Sequence, residues 1–148
     1  MARTHQHDIA ACTRAWQTLR MAHNRVADRL GAELDHACDL TLNEFDVLLY
    51  LQSHADEDVR ISALLDAVSL SQPALSRLIA RLEERDLLTR SQAEHDGRAI
   101  VVTLTAPGAD LTDRALAIHA RTVHETLTGK FTDAEQAALL QTLSQIGR

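Results

Sequence analysis

The stretch Ser71-Gln-Pro-Ala-Leu-Ser-Arg-Leu-Ile-Ala-Arg-Leu-Glu-Glu-Arg-Asp-Leu-Leu88 decides how the rest of the chain is read. Ser71 stands where a helix cap belongs, and Pro73 falls in the first turn, where its missing N–H costs little. The pattern predicts a helix running to about Arg85. At roughly 100° per residue, Leu75, Leu78, Ile79 and Leu82 gather on one side, while Pro73, Ser76, Arg77, Ala80 and Arg81 lie on the other. One face is built to pack; the opposite face is small, polar and basic.

Working upstream, Ser69-Leu-Ser71 breaks a preceding short helix, which Ser62 is expected to cap and which carries Leu64, Leu65 and Val68. The cluster Asp56-Glu-Asp58 reads as a turn. Thr41-Leu-Asn-Glu44 is a capping box that opens a helix with Phe45, Leu48 and Leu49 on one face, ending near Ser53. From Asp8 to about Leu34, the residues Cys12, Trp16, Leu19, His23, Val26 and Leu30 mark a single apolar helical stripe. Downstream, Leu88, Arg90 and Gln92 alternate with their neighbours, and Ile100, Val102 and Leu104 form a second alternating run. Between the runs sits Glu94-His-Asp-Gly-Arg98, with Gly97 supplying a tight turn, so a β-hairpin with a charged tip is predicted. After Pro107-Gly108 a long helix is expected to reach about Thr128. Thr132-Asp-Ala-Glu135 is a second capping box, for a last helix with Leu139, Leu140, Leu143 and Ile146. The fold class is mainly α with a small β-hairpin wing, a winged helix-turn-helix.

Composition limits what such a chain can do. Its 148 residues suffice for one domain, and 45% apolar with 24% charged residues describes a globular protein. No apolar run approaches the roughly 20 residues of a membrane span, and no secretory signal stands at the N-terminus, so a cytoplasmic location without membrane contact is expected. The net charge of −6 opposes indiscriminate nucleic-acid binding, but the segment from Arg60 to Thr105 carries six arginines against six acidic residues, so the whole excess lies elsewhere. Glycine-rich phosphate loops, H-E-x-x-H, G-x-S-x-G and paired carboxylates are all missing, so no enzyme is expected. The cysteines Cys12 and Cys38 are too few for a disulfide framework and read as small buried hydrophobes. His5, His7, Cys12, His36, Cys38, His119 and His124 lack the compact spacing of a four-ligand zinc site, so neither metal nor cofactor is expected.

A short helix, a three-residue turn and a second helix with a basic face suit the major groove of DNA, where arginine gives guanine two hydrogen bonds. Ser71, Gln72, Pro73, Ser76, Arg77 and Arg81 are the candidate contacts; the plainer reading is a helical hairpin with solvated arginines. The hairpin that follows favours the first. With it, the chain resembles the MarR family, on Ser71 to Leu88, on Asp96-Gly-Arg98, and on Val102-Thr-Leu-Thr105 followed by Pro107-Gly108.

The resemblance implies a homodimeric repressor of double-stranded DNA, with residues 8–34 and 106–148 as dimerisation helices and residues 41–105 as the DNA-binding lobe, each protomer reading half of a palindrome. It implies that Arg98 enters the minor groove with Asp96 holding its guanidinium; an ordinary exposed turn pair is the alternative. It also implies a small anionic or phenolic effector, for which Trp16, Arg20, Asp46 and Tyr50 are the available groups. Trp16, Asp46 and Arg77 look like the set found in the urate-responsive branch. The competing reading puts Trp16 in the core and has Asp46 cap a helix or pair with an arginine. Cys12 is a redox candidate by analogy with the organic-hydroperoxide branch. A redox- or zinc-responsive regulator of the same fold and a helical interaction module without DNA are the alternative functions.

Overall fold

The computed structural model describes the backbone of residues 2–93 and 96–146 and the side chains of residues 9–93 and 99–146. Helix α1 covers Ala2–Cys38, α2 Leu42–Ser53, α3 Ile61–Ala67 and α4 Gln72–Glu84; strands β1 (Leu88–Ala93) and β2 (Asp96–Leu104) follow, then α5 (Ala106–Thr126), a 3-10 turn at Thr128–Lys130, and α6 (Asp133–Leu143). None of these helices is long and apolar enough to cross a membrane. Two compact units result, one of Glu33–Ala120 and one of Met1–Ala32 with Arg121–Arg148.

The first unit is built on a core that includes Leu34, Phe45, Leu48, Leu64, Leu75, Ile79, Leu82, Leu88 and Val102. Both capping boxes form, because Thr–x–x–Glu satisfies two orphan amide donors within four residues and needs no help from the rest of the fold. In α2 the Thr41 hydroxyl accepts from the Glu44 amide, and the Glu44 carboxylate accepts from the Thr41 amide at 2.8 Å. Leu75, Ile79 and Leu82 of α4 are buried while Pro73, Ser76, Arg77 and Arg81 are exposed, as the helical spacing predicts. Helix α4 ends in a Schellman motif: the Leu87 amide donates to the Leu82 carbonyl at 3.0 Å and the Asp86 amide to the Glu83 carbonyl at 2.9 Å, with Asp86 at φ 59°. That sharp reversal delivers the chain into β1.

The strands pair antiparallel, with Leu88 opposite Leu104, Arg90 opposite Val102 and Gln92 opposite Ile100; the register shifts between Gln92 and Ala93. Glu94 and His95, which join the strands, fall outside the described residues; Gly97, expected in the tight turn, lies instead inside β2, because the pairing already begins at Ala93 opposite Asp96. Beyond the expected hairpin, Arg60 bridges to Val101 and the Val102 amide donates to the Val59 carbonyl at 2.8 Å. The segment after the acidic turn is thus a short third lane on β2.

Several boundaries move. Helix α1 is longer than residues 8–34, because Gly31 lies inside it and the helix ends instead where Asp39 turns to φ 52°. Helix α3 is capped at Arg60, not Ser62, because the chain leaves the bridge to β2 directly into the helix. Ser71 occupies the α4 cap position, but its hydroxyl makes no capping bond. Helix α5 begins at Ala106, ahead of Pro107, with Thr105 Oγ1 accepting from the Gly108 amide at 3.1 Å. Gly108 is needed there, because a Cβ would lie 1.9 Å from the Leu87 carbonyl oxygen.

In the second unit the stripe on α1 is buried at Leu30 and increasingly exposed toward Trp16 and Cys12, so neither Trp16 nor Cys12 is a core residue. Cys38, in the first unit, is buried, and both thiols are free. The Thr132–Glu135 capping box starts α6, whose Leu140 is exposed, as is Ile146 beyond the helix end.

Candidate nucleic-acid interface

Helix α4 lays its polar face open. Gln72, Pro73, Ser76, Arg77 and Arg81 are exposed, and Ser71 just ahead of them keeps a hydroxyl that is not spent on capping. Small side chains at Ala74 and Ser76 keep the backbone of this face accessible, which an approach into a groove about 12 Å wide requires. Beside it lies a cavity of about 290 Å³, walled by Thr41, Asn43 and Glu44 from the start of α2 and by Leu70, Ala74, Arg77, Leu78 and Arg81.

The two arginines on this face differ. Arg77 makes no hydrogen bond or ion pair with another side chain among the described residues. Arg81, one turn on, donates from Nε to Glu44 Oε1 at 2.7 Å, and its Nη2 forms an ion pair with the same oxygen at 2.6 Å. Glu44 is 1% exposed, the Arg81 side chain 56%. This partner is not visible in the sequence, where Glu44 reads only as a capping residue. Both candidate arginines thus stand on the exposed face, Arg81 paired with Glu44 and Arg77 without such a pair among the described residues.

The base of the wing is tied to α4. Arg90 on β1 donates from its amide to Glu83 Oε1 at 3.2 Å and from Nε to Glu83 Oε2 at 2.8 Å, and its Nη2 contacts the same oxygen. Hydrogen bonding from Arg90 holds the Glu83 carboxyl below its ordinary range. At the same C-terminal end of α4, Arg85 donates from Nη1 to the Asp39 carbonyl at 2.8 Å. The side chains of Asp96 and Arg98, expected at the wing tip, fall outside the described residues.

The candidate effector groups divide between the units. Trp16, 63% exposed, and Arg20, also exposed, are on α1. Asp46 and Tyr50 sit one turn apart on α2. Asp46 neither caps a helix nor pairs with an arginine among the described residues. Protein around its carboxyl displaces enough water to push its pKa up, and the charge of His119 opposes this. His119 itself stacks on Phe45 at 5.1 Å between ring centroids, and Tyr50 stacks on His54 at 4.1 Å. Among the described residues no group of three His, Cys, Asp or Glu side chains is placed to hold a metal.

Residues 39–99 match the profile of the MarR family. The chain is 31% identical over 112 residues to the HTH-type transcriptional repressor NicR of Pseudomonas putida, covering 74% of this chain and 69% of that one. In structure it is similar to Sco3205, a MarR family regulator of Streptomyces coelicolor solved in complex with DNA, at a TM-score of 0.84 and 20% identity over 91% of this chain and 88% of that one. It is similar too to BpsR of Bordetella bronchiseptica, whose DNA binding is regulated by 6-hydroxynicotinic acid, at a TM-score of 0.77 and 26% identity over 88% and 91% of the two chains. The helix-turn-helix, the hairpin wing and these likenesses agree: the chain belongs to the MarR family of winged-helix transcriptional regulators, which are not enzymes.

Proposed function

We propose that the protein is a cytoplasmic repressor that binds a palindromic operator as a homodimer and releases it when a small anionic or phenolic molecule binds. The observation that carries DNA binding is the open face of α4, where Ser71, Gln72, Ser76 and Arg77 stand exposed and Arg77 has no side-chain partner among the described residues. An open guanidinium on a face of small side chains suits the O6 and N7 edge of guanine. In this reading Pro73 packs beside the backbone, while Arg98, steadied by Asp96, reaches the minor groove from the wing.

Homodimerisation is supported by Ile9, Trp16, Leu19 and Met21 on α1 and by Leu140, Leu143 and Ile146 at the C-terminal end, all exposed large apolar residues within one unit. Release by a ligand follows from linkage: an effector that favours one spacing of the two recognition helices lowers affinity for an operator that requires another. Trp16, Arg20, Asp46 and Tyr50 are the aromatic and charged groups proposed for such a molecule, and the heteroaromatic acid that regulates BpsR is of the same chemical class.

Fluorescence anisotropy tests the reading. Purified protein is titrated into a duplex from upstream of its own gene and into a scrambled duplex of equal length, at two salt concentrations. Selective binding that saturates at one dimer per duplex and weakens on adding an aromatic acid is the expected result. Failure to bind either duplex at low salt would leave a helical interaction module.

A further inference from the structure

Glu44 is a fully enclosed carboxylate at the start of α2, and both of its oxygens are engaged. Oε2 accepts from the Thr41 amide and the Thr41 hydroxyl, each at 2.8 Å, and Oε1 accepts from Arg81 Nε and forms an ion pair with Nη2. A buried carboxylate deprived of its cation is strongly unfavourable, so the Arg81 guanidinium is not at liberty to leave. Arginine reads guanine or grips a phosphate through a pair of parallel N–H groups. In Arg81 the Nε–Nη2 edge is already turned inward onto Glu44. Arg77, one turn earlier on the same face, carries no such restraint among the described residues.

Building on the DNA-binding reading, we propose that Glu44 and Arg81 are positioning residues: a clasp that fixes the recognition helix α4 on the start of α2 and withholds the Arg81 guanidinium from DNA, leaving Arg77 as the arginine of α4 that reads bases. The clasp joins two segments 37 residues apart in sequence. Its anchor is the Thr41–Glu44 capping box, so the bond that starts α2 also sets the seat of α4. Withholding one cation serves selectivity. A second free arginine on this face would add a contact that any sequence satisfies, raising affinity for all DNA alike and narrowing the margin between operator and non-operator.

Salt dependence separates this role from a merely structural one. The intact chain and its Arg81→Gln, Arg81→Lys, Glu44→Gln and Glu44→Gln/Arg81→Gln variants are titrated by anisotropy across a salt series. The probes are a duplex selected from a randomised pool by the wild-type protein and a scrambled duplex. Arg81→Gln should leave the slope of log affinity against log salt as in the wild type. Glu44→Gln, which keeps the cap acceptor but removes the charge, should steepen the slope by about 0.9 for each phosphate newly contacted. It should also tighten binding to the scrambled duplex several-fold, and the double variant should return both to the wild-type values.

A slope lowered by about 0.9 in Arg81→Gln, or base preference lost at one position, would show Arg81 already on the DNA and overturn the proposal. If Glu44→Gln does not fold, the two Arg81 variants decide the same question, Arg81→Lys being expected to match the wild-type slope. Urea unfolding without DNA supplies an independent arm, since strong coupling between the Glu44 and Arg81 substitutions is expected and additivity overturns the clasp. A wild type that selects no duplex from the pool overturns the regulator reading, and the urea cycle still decides the clasp.

Discussion

Arg77 and Arg81 show what a single sequence reveals at the scale of the residue and what it does not. Helical spacing places both on one exposed face, correctly, because the angular position of a side chain depends only on its neighbours. What separates them is Glu44, which is distant in sequence and becomes a partner only when α2 and α4 pack together. Arg77→Ala is expected to cost about 1–3 kcal/mol at the selected operator and much less on scrambled DNA, read by anisotropy at fixed salt. An equal loss on both duplexes would contradict base reading. Gly108 belongs to the same scale. The sequence marks Pro107-Gly108 as the boundary of a helix, whereas the structure shows that the glycine lets α5 touch the backbone at Leu87. Gly108→Ala forces that contact apart and is expected to destabilise by about 1–3 kcal/mol in urea unfolding, with the folded variant keeping its helix content.

Elements are legible where their signals are local. The capping boxes at Thr41 and Thr132 open helices at the positions the sequence indicates, because the whole motif lies within four residues. The end of α4 near Arg85 is legible too, whereas the end of α1 is not: Asp39 takes the left-handed conformation that glycine usually supplies, and an aspartate carries no clear stop signal. The Val59 lane on β2 is hidden as well, since a bridge this short has no periodicity of its own. The tie between α4 and the wing makes a prediction in pH. Arg90 lowers the Glu83 pKa, so its contribution is present above the ordinary glutamate range and is lost as pH falls through the lowered value. Asp46 has the opposite sign. Its pKa is raised, so folding is favoured while it is protonated and loses that contribution as pH rises through the raised value. Thermal unfolding from pH 3 to 7 should therefore show a shallower acid loss for Glu83→Gln than for the wild type. Asp46→Asn should gain stability relative to the wild type toward neutral pH, and reversal of either trend would refute the assignment.

At the scale of the molecule, the informative residues are those the chain fails to bury. The stripe from Cys12 to Leu30 has the spacing of an ordinary apolar helix face, yet it is buried only at its far end, and Trp16 remains 63% exposed. A sequence cannot distinguish a face meant for its own core from one meant for a second copy, because both require the same spacing of apolar residues. Leu140 makes the distinction testable, since at 71% exposure it contributes little to the fold of one chain. If the chain stood alone, Leu140→Asp would change stability by no more than about 0.5 kcal/mol, as surface substitutions do. In a homodimer the same change places a charge in an apolar interface. Sedimentation should then show wild-type protein at twice the 16.3 kDa chain mass and Leu140→Asp shifted toward a single chain. The wild-type melting temperature should rise with protein concentration. Operator binding belongs at this scale too, because two recognition helices one turn of DNA apart require two protomers. Leu140→Asp should therefore lose selective binding while leaving the α4 face untouched, and a variant that is monomeric yet still selects the palindrome would rule out the dimeric mechanism.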